Sequence, residues 1–129
     1  MSGHTDPRAP DLESGQAFEK AAQIQTSKLN EPDDAANSMV DAFKAYRTAS
    51  PQDAVRCLAV AINQYCNKGN FRRAASHKES LGEVFETQLG DLKQAIDAYG
   101  TAAGWYESDN ATAYVDLFCV VTAGEAARG

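Results

Sequence analysis

The chain has little with which to perform bond chemistry. Of its 129 residues only three are cysteine (Cys57, Cys66 and Cys119), an odd count with no CxxC spacing, and only His4 and His77 are histidine. That excludes a disulfide framework and leaves too few, too scattered ligands for a zinc site. Reduced thiols are expected, with Cys57 filling space on a helical face. There is no nucleophile elbow, phosphate-binding loop or HExxH pattern. His77-Lys78-Glu79 brings titratable types together, but adjacent helical residues point about 100° apart and make no acid–base pair by themselves. Asp33-Asp34 reads as a solvated helix start. Neither an enzyme nor a cofactor site is expected. No apolar run approaches the roughly 20 residues of a membrane span, and the opening MSGHTDPRAPDLESGQ lacks the basic start and apolar stretch of a signal peptide. These absences read as a soluble, intracellular chain, and no stretch carries a defensible strand signal.

What is present is alanine at helical spacing. In QAFEKAAQI (16–24), CLAVAI (57–62) and GTAAGWY (100–106), small residues allow close axis-to-axis approach, with Phe18, Leu58, Ile62, Tyr99, Trp105 and Tyr106 expected to fill the spaces between layers. Trp105 reads as a packing anchor. The helical patterns also repeat. Residues 33–46 and 71–85 match with Ala36 to Ala75 and Tyr46 to Phe85 each 39 apart; residues 53–65 and 94–106 match with Ala54 to Ala95, Val55 to Ile96 and Tyr65 to Tyr106 each 41 apart. Two interleaved helices at a period near 40 predict an all-α, tetratricopeptide-like right-handed solenoid of antiparallel hairpins, here a partial twisted sheet.

The punctuation agrees with this division. Ser50-Pro51-Gln52-Asp53 supplies an N-cap hydroxyl, a proline at the first helical position and an acid at the third. Gly69-Asn70 and Gly90-Asp91 each predict a left-handed stop followed by the cap of the next helix. The expected organisation is a disordered leader over 1–14, containing Pro7 and Pro10, a hairpin repeat domain over 15–110, and a divergent tail over 111–129 whose β-branched run is a frayed helix or an irregular end. Such a chain lacks polar capping repeats, which predicts self-association or marginal stability.

Charge is unevenly spread. The net charge is −6, which argues against nucleic acid as partner, yet residues 54–78 contain no Asp or Glu and carry Arg56, Lys68, Arg72, Arg73 and Lys78, so this window is +5 and the remainder −11. A basic island in an acidic protein suits an acidic partner. On the helix from Phe71, Arg72 shares a polar face with Ser76, Glu79 and Glu83, while Phe71, Ala74, Lys78, Leu81 and Phe85 form the apolar stripe. Lys78 is therefore expected to run its stem along apolar surface.

The words GQAFEKAAQIQ, NKGNFRRAASHKESLGEVFE and DLKQAIDAYGTAAGWYESDNATA, covering about residues 15–113, resemble the soluble NSF-attachment proteins, and fungal members most closely. The resemblance implies a non-enzymatic adaptor of vesicle-mediated transport that coats a SNARE bundle with a basic surface and presents it to an NSF-type AAA ATPase. It implies a cytoplasmic location, peripheral on vesicle, Golgi, ER or vacuolar membranes. It makes Arg56, Lys68, Arg72, Arg73 and Lys78 the SNARE-binding candidates, with Arg72 and Arg73 foremost. The family's pattern is broken at Ser76, where some members carry lysine, at Asn70, where they carry arginine, and after Tyr114, where a further lysine is expected. With these changes, and with the membrane-touching loop and ATPase-stimulating end of family members outside the match, weak SNARE binding and no stimulation of disassembly are expected.

The competing reading is an independent tetratricopeptide module in which Asn37, Asn63, Lys44 or Arg72 clamps a partner's carboxylate. It requires those residues to converge in one groove. The alanine seams carry a prediction under either reading: Ala59→Leu or Ala102→Leu overpacks the helix contacts and lowers stability by about 1–3 kcal/mol in urea denaturation.

Overall fold

In the computed structural model, residues 6–121 are described in their backbone and residues 6–109 in their side chains. Five helices account for almost all of the described chain: α1 (Ala9–Ser27), α2 (Pro32–Tyr46), α3 (Pro51–Asn67), α4 (Phe71–Thr87) and α5 (Leu92–Val121). No strand occurs among the described residues. Turns of three or four residues join the helices, so each packs against the next in sequence. Ion pairs and hydrogen bonds also link α1 to α3 and α2 to α4. The result is two layers, α1, α3 and α5 in one and α2 and α4 in the other, as the near-40 period predicts.

Local chemistry explains the turns. Gly69 and Gly90 take φ +76° and +65°, left-handed values that favour glycine, and end α3 and α4. Asn70 and Asp91 then accept the backbone N–H groups of Arg73 and Gln94, capping α4 and α5. The start of α3 differs from expectation in one detail. Ser50 occupies the cap position, but its hydroxyl donates to the Asp53 carboxylate at 2.7 Å, not to the backbone.

The N-terminal end departs from the sequence reading, and the C-terminal end follows one of its two alternatives. Residues 9–14, placed in the leader, belong to α1: Pro10 sits in its first two positions, where a missing N–H leaves no bond unmade. At the other end α5 continues to Val121, so the first part of the divergent stretch is helical; Cys119 lies outside the described side chains, and His4 and residues 122–129 outside the described structure.

The core is built from Ala22, Ala36, Ala42, Ala54, Ala61 and Ala74 around Leu58, Ile62, Met39, Phe43, Tyr46, Tyr65 and Val84. Cys57 is sealed within it, and burial pushes its thiol up to about 12. Ala102 is buried at the α4/α5 seam as expected, whereas Ala59 faces the solvent side of a groove and Phe18 is 36% exposed. The overpacking expected at Ala59 is thereby withdrawn. Ile96, the repeat equivalent of buried-side Val55, is 69% exposed because no described helix lies beyond that flank of α5.

One packing device occurs twice. Gly15 of α1 lies under the Tyr46 ring of α2, and Gly82 of α4 under the Tyr99 ring of α5, so closely that a Cβ would stand 2.5 Å and 2.9 Å from the ring. Each tyrosine then donates to an acid one turn beyond its glycine, Tyr46 to Glu19 at 2.6 Å and Tyr99 to Glu86 at 3.0 Å. Alanine at either glycine improves helix propensity by about 1 kcal/mol but drives Cβ into the ring. Gly15→Ala is therefore expected to lower stability by about 1–3 kcal/mol net, and Gly82→Ala by less, since Tyr99 is only half buried; urea midpoints compared with the parent check both.

Candidate functional site

The basic island separates once the helices pack. Arg56, on the first half of α3, reaches across to α1 and donates to both Glu19 oxygens at 2.6 and 3.0 Å and to Asp53 on its own helix at 3.2 Å. Glu19 also accepts from Tyr46, so two groups, one from α2 and one from α3, meet one carboxylate of α1 through three hydrogen bonds. The Arg56 guanidinium holds that carboxyl below its ordinary range, against the opposing effect of burial. Burial, reinforced by Glu19, raises Tyr46 so that it remains a donor. This cluster is a structural lock, and most of Arg56's donor capacity is spent inside the molecule.

The other four candidates each have surroundings of their own. Lys68, at the end of α3, stands 3.6 Å from Asp33 at the start of α2. Arg72 is 71% exposed and its nearest acid is Asp109 of α5, at 3.8 Å. Arg73 turns toward α2, where it donates to Asn37 at 3.0 Å, with its guanidinium 4.7 Å from the centre of the Tyr65 ring. Lys78 points elsewhere: half buried, it lies 5.8 Å from the Trp105 ring and lines a groove of about 210 Å³ with Val55, Leu81, Phe85 and Asp97. Its stem does run over apolar surface. Trp105 packs against the core and beside Phe71, as a packing anchor does.

The clamp residues of the competing reading do not meet in one groove. Asn63 lines a larger cleft of about 540 Å³ between α1 and α3, floored by Ala22, Ala35, Ala36 and Met39, in which Glu19 is the only charged lining residue. Asn37 lies in the other layer, and its amide oxygen already accepts from Tyr65 at 3.1 Å and from Arg73. Arg72 belongs to neither place.

Sequence reasoning missed the company Arg73 keeps. His77, one turn along α4, stacks on the same Tyr65 ring with centroids 5.3 Å apart and planes 17° apart. Burial first, then the charges of Arg73 and Lys44, hold its imidazole below its ordinary value. The available signal was spacing: Asn37 and Lys44 are seven apart on α2, Arg73 and His77 four apart on α4, each pair on one helical face.

A two-layer sheet of helical hairpins with its charged residues in separate patches defines a helical-repeat protein. A model of the soluble NSF attachment protein family, SNAP, matches residues 11–127, and the chain belongs to that family. It is 60% identical over 101 residues to a probable vesicular-fusion protein sec17 homolog of Neurospora crassa, covering 78% of this chain and 35% of the relative. The corresponding protein of Schizosaccharomyces pombe is 50% identical over 100 residues, covering 78% and 34%. Human alpha-soluble NSF attachment protein is 38% identical over 114 residues, covering 88% and 38%. The chain thus spans about a third of the length of the curated relatives it matches.

The Glu19 lock has a pH signature. Its folded pKa lies below its unfolded value of about 4.5, so its contribution is complete above that pH and is lost as the pH falls through the lowered value. Glu19→Gln is expected to flatten the acid limb of a stability-against-pH curve. Arg56→Met is expected to cost about 1 kcal/mol at neutral pH, a figure kept small because the arginine is half exposed and screened. Urea denaturation of each variant from neutral pH to about pH 3 measures both effects.

Proposed function

We propose that the chain acts as an adaptor in intracellular vesicle-mediated transport, laying its helical sheet along an assembled SNARE bundle and serving the attachment of an NSF-type AAA ATPase that takes the bundle apart. The observation that carries this reading is the SNAP family match over residues 11–127, seated on a two-layer helical sheet. The names of the relatives, vesicular-fusion protein and soluble NSF attachment protein, support the same role. Its part is mechanical and requires no bond chemistry. It works at the cytoplasmic face of vesicle, ER, Golgi or vacuolar membranes as a peripheral protein, and no helix among the described residues is long and apolar enough to cross a membrane.

The five basic candidates contribute unequally in this reading. Arg72 and Arg73 offer exposed charge at the start of α4 and are the principal contacts. Lys68 reaches an acidic partner only by leaving Asp33, and Arg56 only by leaving Glu19. Lys78 engages a partner that enters the groove between α3 and α5.

Replacing Arg72 and Arg73 together with Glu reverses the exposed charge without touching the buried alanines beside them. Pull-down with an assembled SNARE bundle at low and raised salt is expected to show salt-sensitive binding for the parent and none for the double variant, with helical circular dichroism unchanged. Equal binding of the two proteins would overturn the basic-face reading.

A further inference from the structure

The seam between α2 and α4 gathers cationic groups that the molecule itself leaves without acids. Arg47, Arg56, Lys68 and Arg72 each lie within ion-pair distance of a carboxylate. Lys44, Arg73 and His77 form no ion pair among the described residues. Two of the three are already fixed in place. Tyr65 rises from α3 as a common floor, with the Arg73 guanidinium and the His77 ring both against it. Asn37 ties that floor down by accepting from the Tyr65 hydroxyl and from Arg73. Lys44 adds its charge from α2. A seat preorganised in this way loses little side-chain entropy when it is filled.

The charges around the imidazole are accounted for from each neighbouring element. Arg73 on α4 and Lys44 on α2 oppose its protonation, and Tyr65 on α3 is an un-ionised phenol. Asp41 and Asp33 of α2 act on Tyr65, and neither pairs with His77. The charges acting on the imidazole are therefore all positive, and an incoming carboxylate relieves their opposition to its protonation.

We propose that Lys44, Arg73 and His77 form a carboxylate seat for an acidic helical partner, and that His77 takes up a proton when the seat is filled. The SNARE-coat reading supplies the identity of the partner; the chemistry of the seat stands on the seam alone. A carboxylate beside the ring favours the imidazolium, so the complex binds one proton more than the separate molecules. Affinity accordingly rises as the pH falls from the value in the complex toward the lower value of the free chain, by at most about tenfold per pH unit.

The chain has two histidines, so His4→Gln leaves His77 as the only imidazole for proton NMR. Its titration is followed alone, with hexaglutamate at matched sodium chloride, and with an assembled SNARE bundle. Bundle binding is measured at about pH 6 and about pH 8. The seat requires the His77 midpoint to rise with hexaglutamate and Lys44→Gln to shrink that shift; with the bundle as partner, the midpoint rises with the bundle too, bundle binding tightens several-fold at the lower pH, and His77→Gln abolishes that dependence. A midpoint unmoved by hexaglutamate, or a pH dependence that survives His77→Gln, overturns the proposal. A bundle that fails to bind while hexaglutamate moves the midpoint sinks the SNARE-coat reading and leaves the seat standing. A bundle that binds with the midpoint fixed does the reverse.

Discussion

Close approach between helix backbones is the constraint from which the remaining features follow. Alanines at 0–4% exposure line the helix contacts, and at two places even alanine is too large, so that a tyrosine ring lies directly on glycine. A core of this kind gains stability from many short contacts and little from bulky side chains, which makes it sensitive to a single added methyl group. It also fixes the register between neighbouring helices. Because Tyr46 rests on Gly15, its hydroxyl falls on Glu19, and Glu19 is thereby held where Arg56 of the following hairpin can bridge to it. Packing at one seam sets the geometry of an ion pair at the next.

That coupling divides the positive charge of the chain among separate environments. Arg56 serves the fold, tied to two carboxylates, and contributes little outward field. Arg72 and Arg73 begin the same helix yet face different neighbours, one toward Asp109 and one toward Asn37 and Tyr65. Lys78 belongs to a third environment, beside Trp105 in a groove of the other layer. A window that reads as one basic patch becomes a lock, an exposed edge, a seam and a groove. The acidic remainder of the chain supplies the pairing partners, which is why a net charge of −6 coexists with cationic spots that stay open.

Much of the architecture was legible because its signals are local. Small residues at three- and four-residue steps, glycine stops followed by Asn or Asp caps, and proline at the start of α3 each act within one turn, and the helices fall where those signals place them. The misreadings have a common origin. Pro10 looks like a helix breaker until its position in the first turn is known. Ala59 and Phe18 share the composition of the buried seams, but each projects away from its neighbour. Propensity and periodicity do not say which side of a helix a later helix will cover.

By itself the sequence determined the class of fold, the two-helix period and the family, since each depends on residue types at short separation or on matching words along the chain. Only the tertiary structure decided which charges are spent and which remain available. Glu19 and Arg56 are 37 positions apart, and Asn37 and Arg73 are 36 apart, so no local pattern foretells their meeting. Electrostatic interaction follows distance in space, and that distance is set by how closely alanine and glycine let the helices come together.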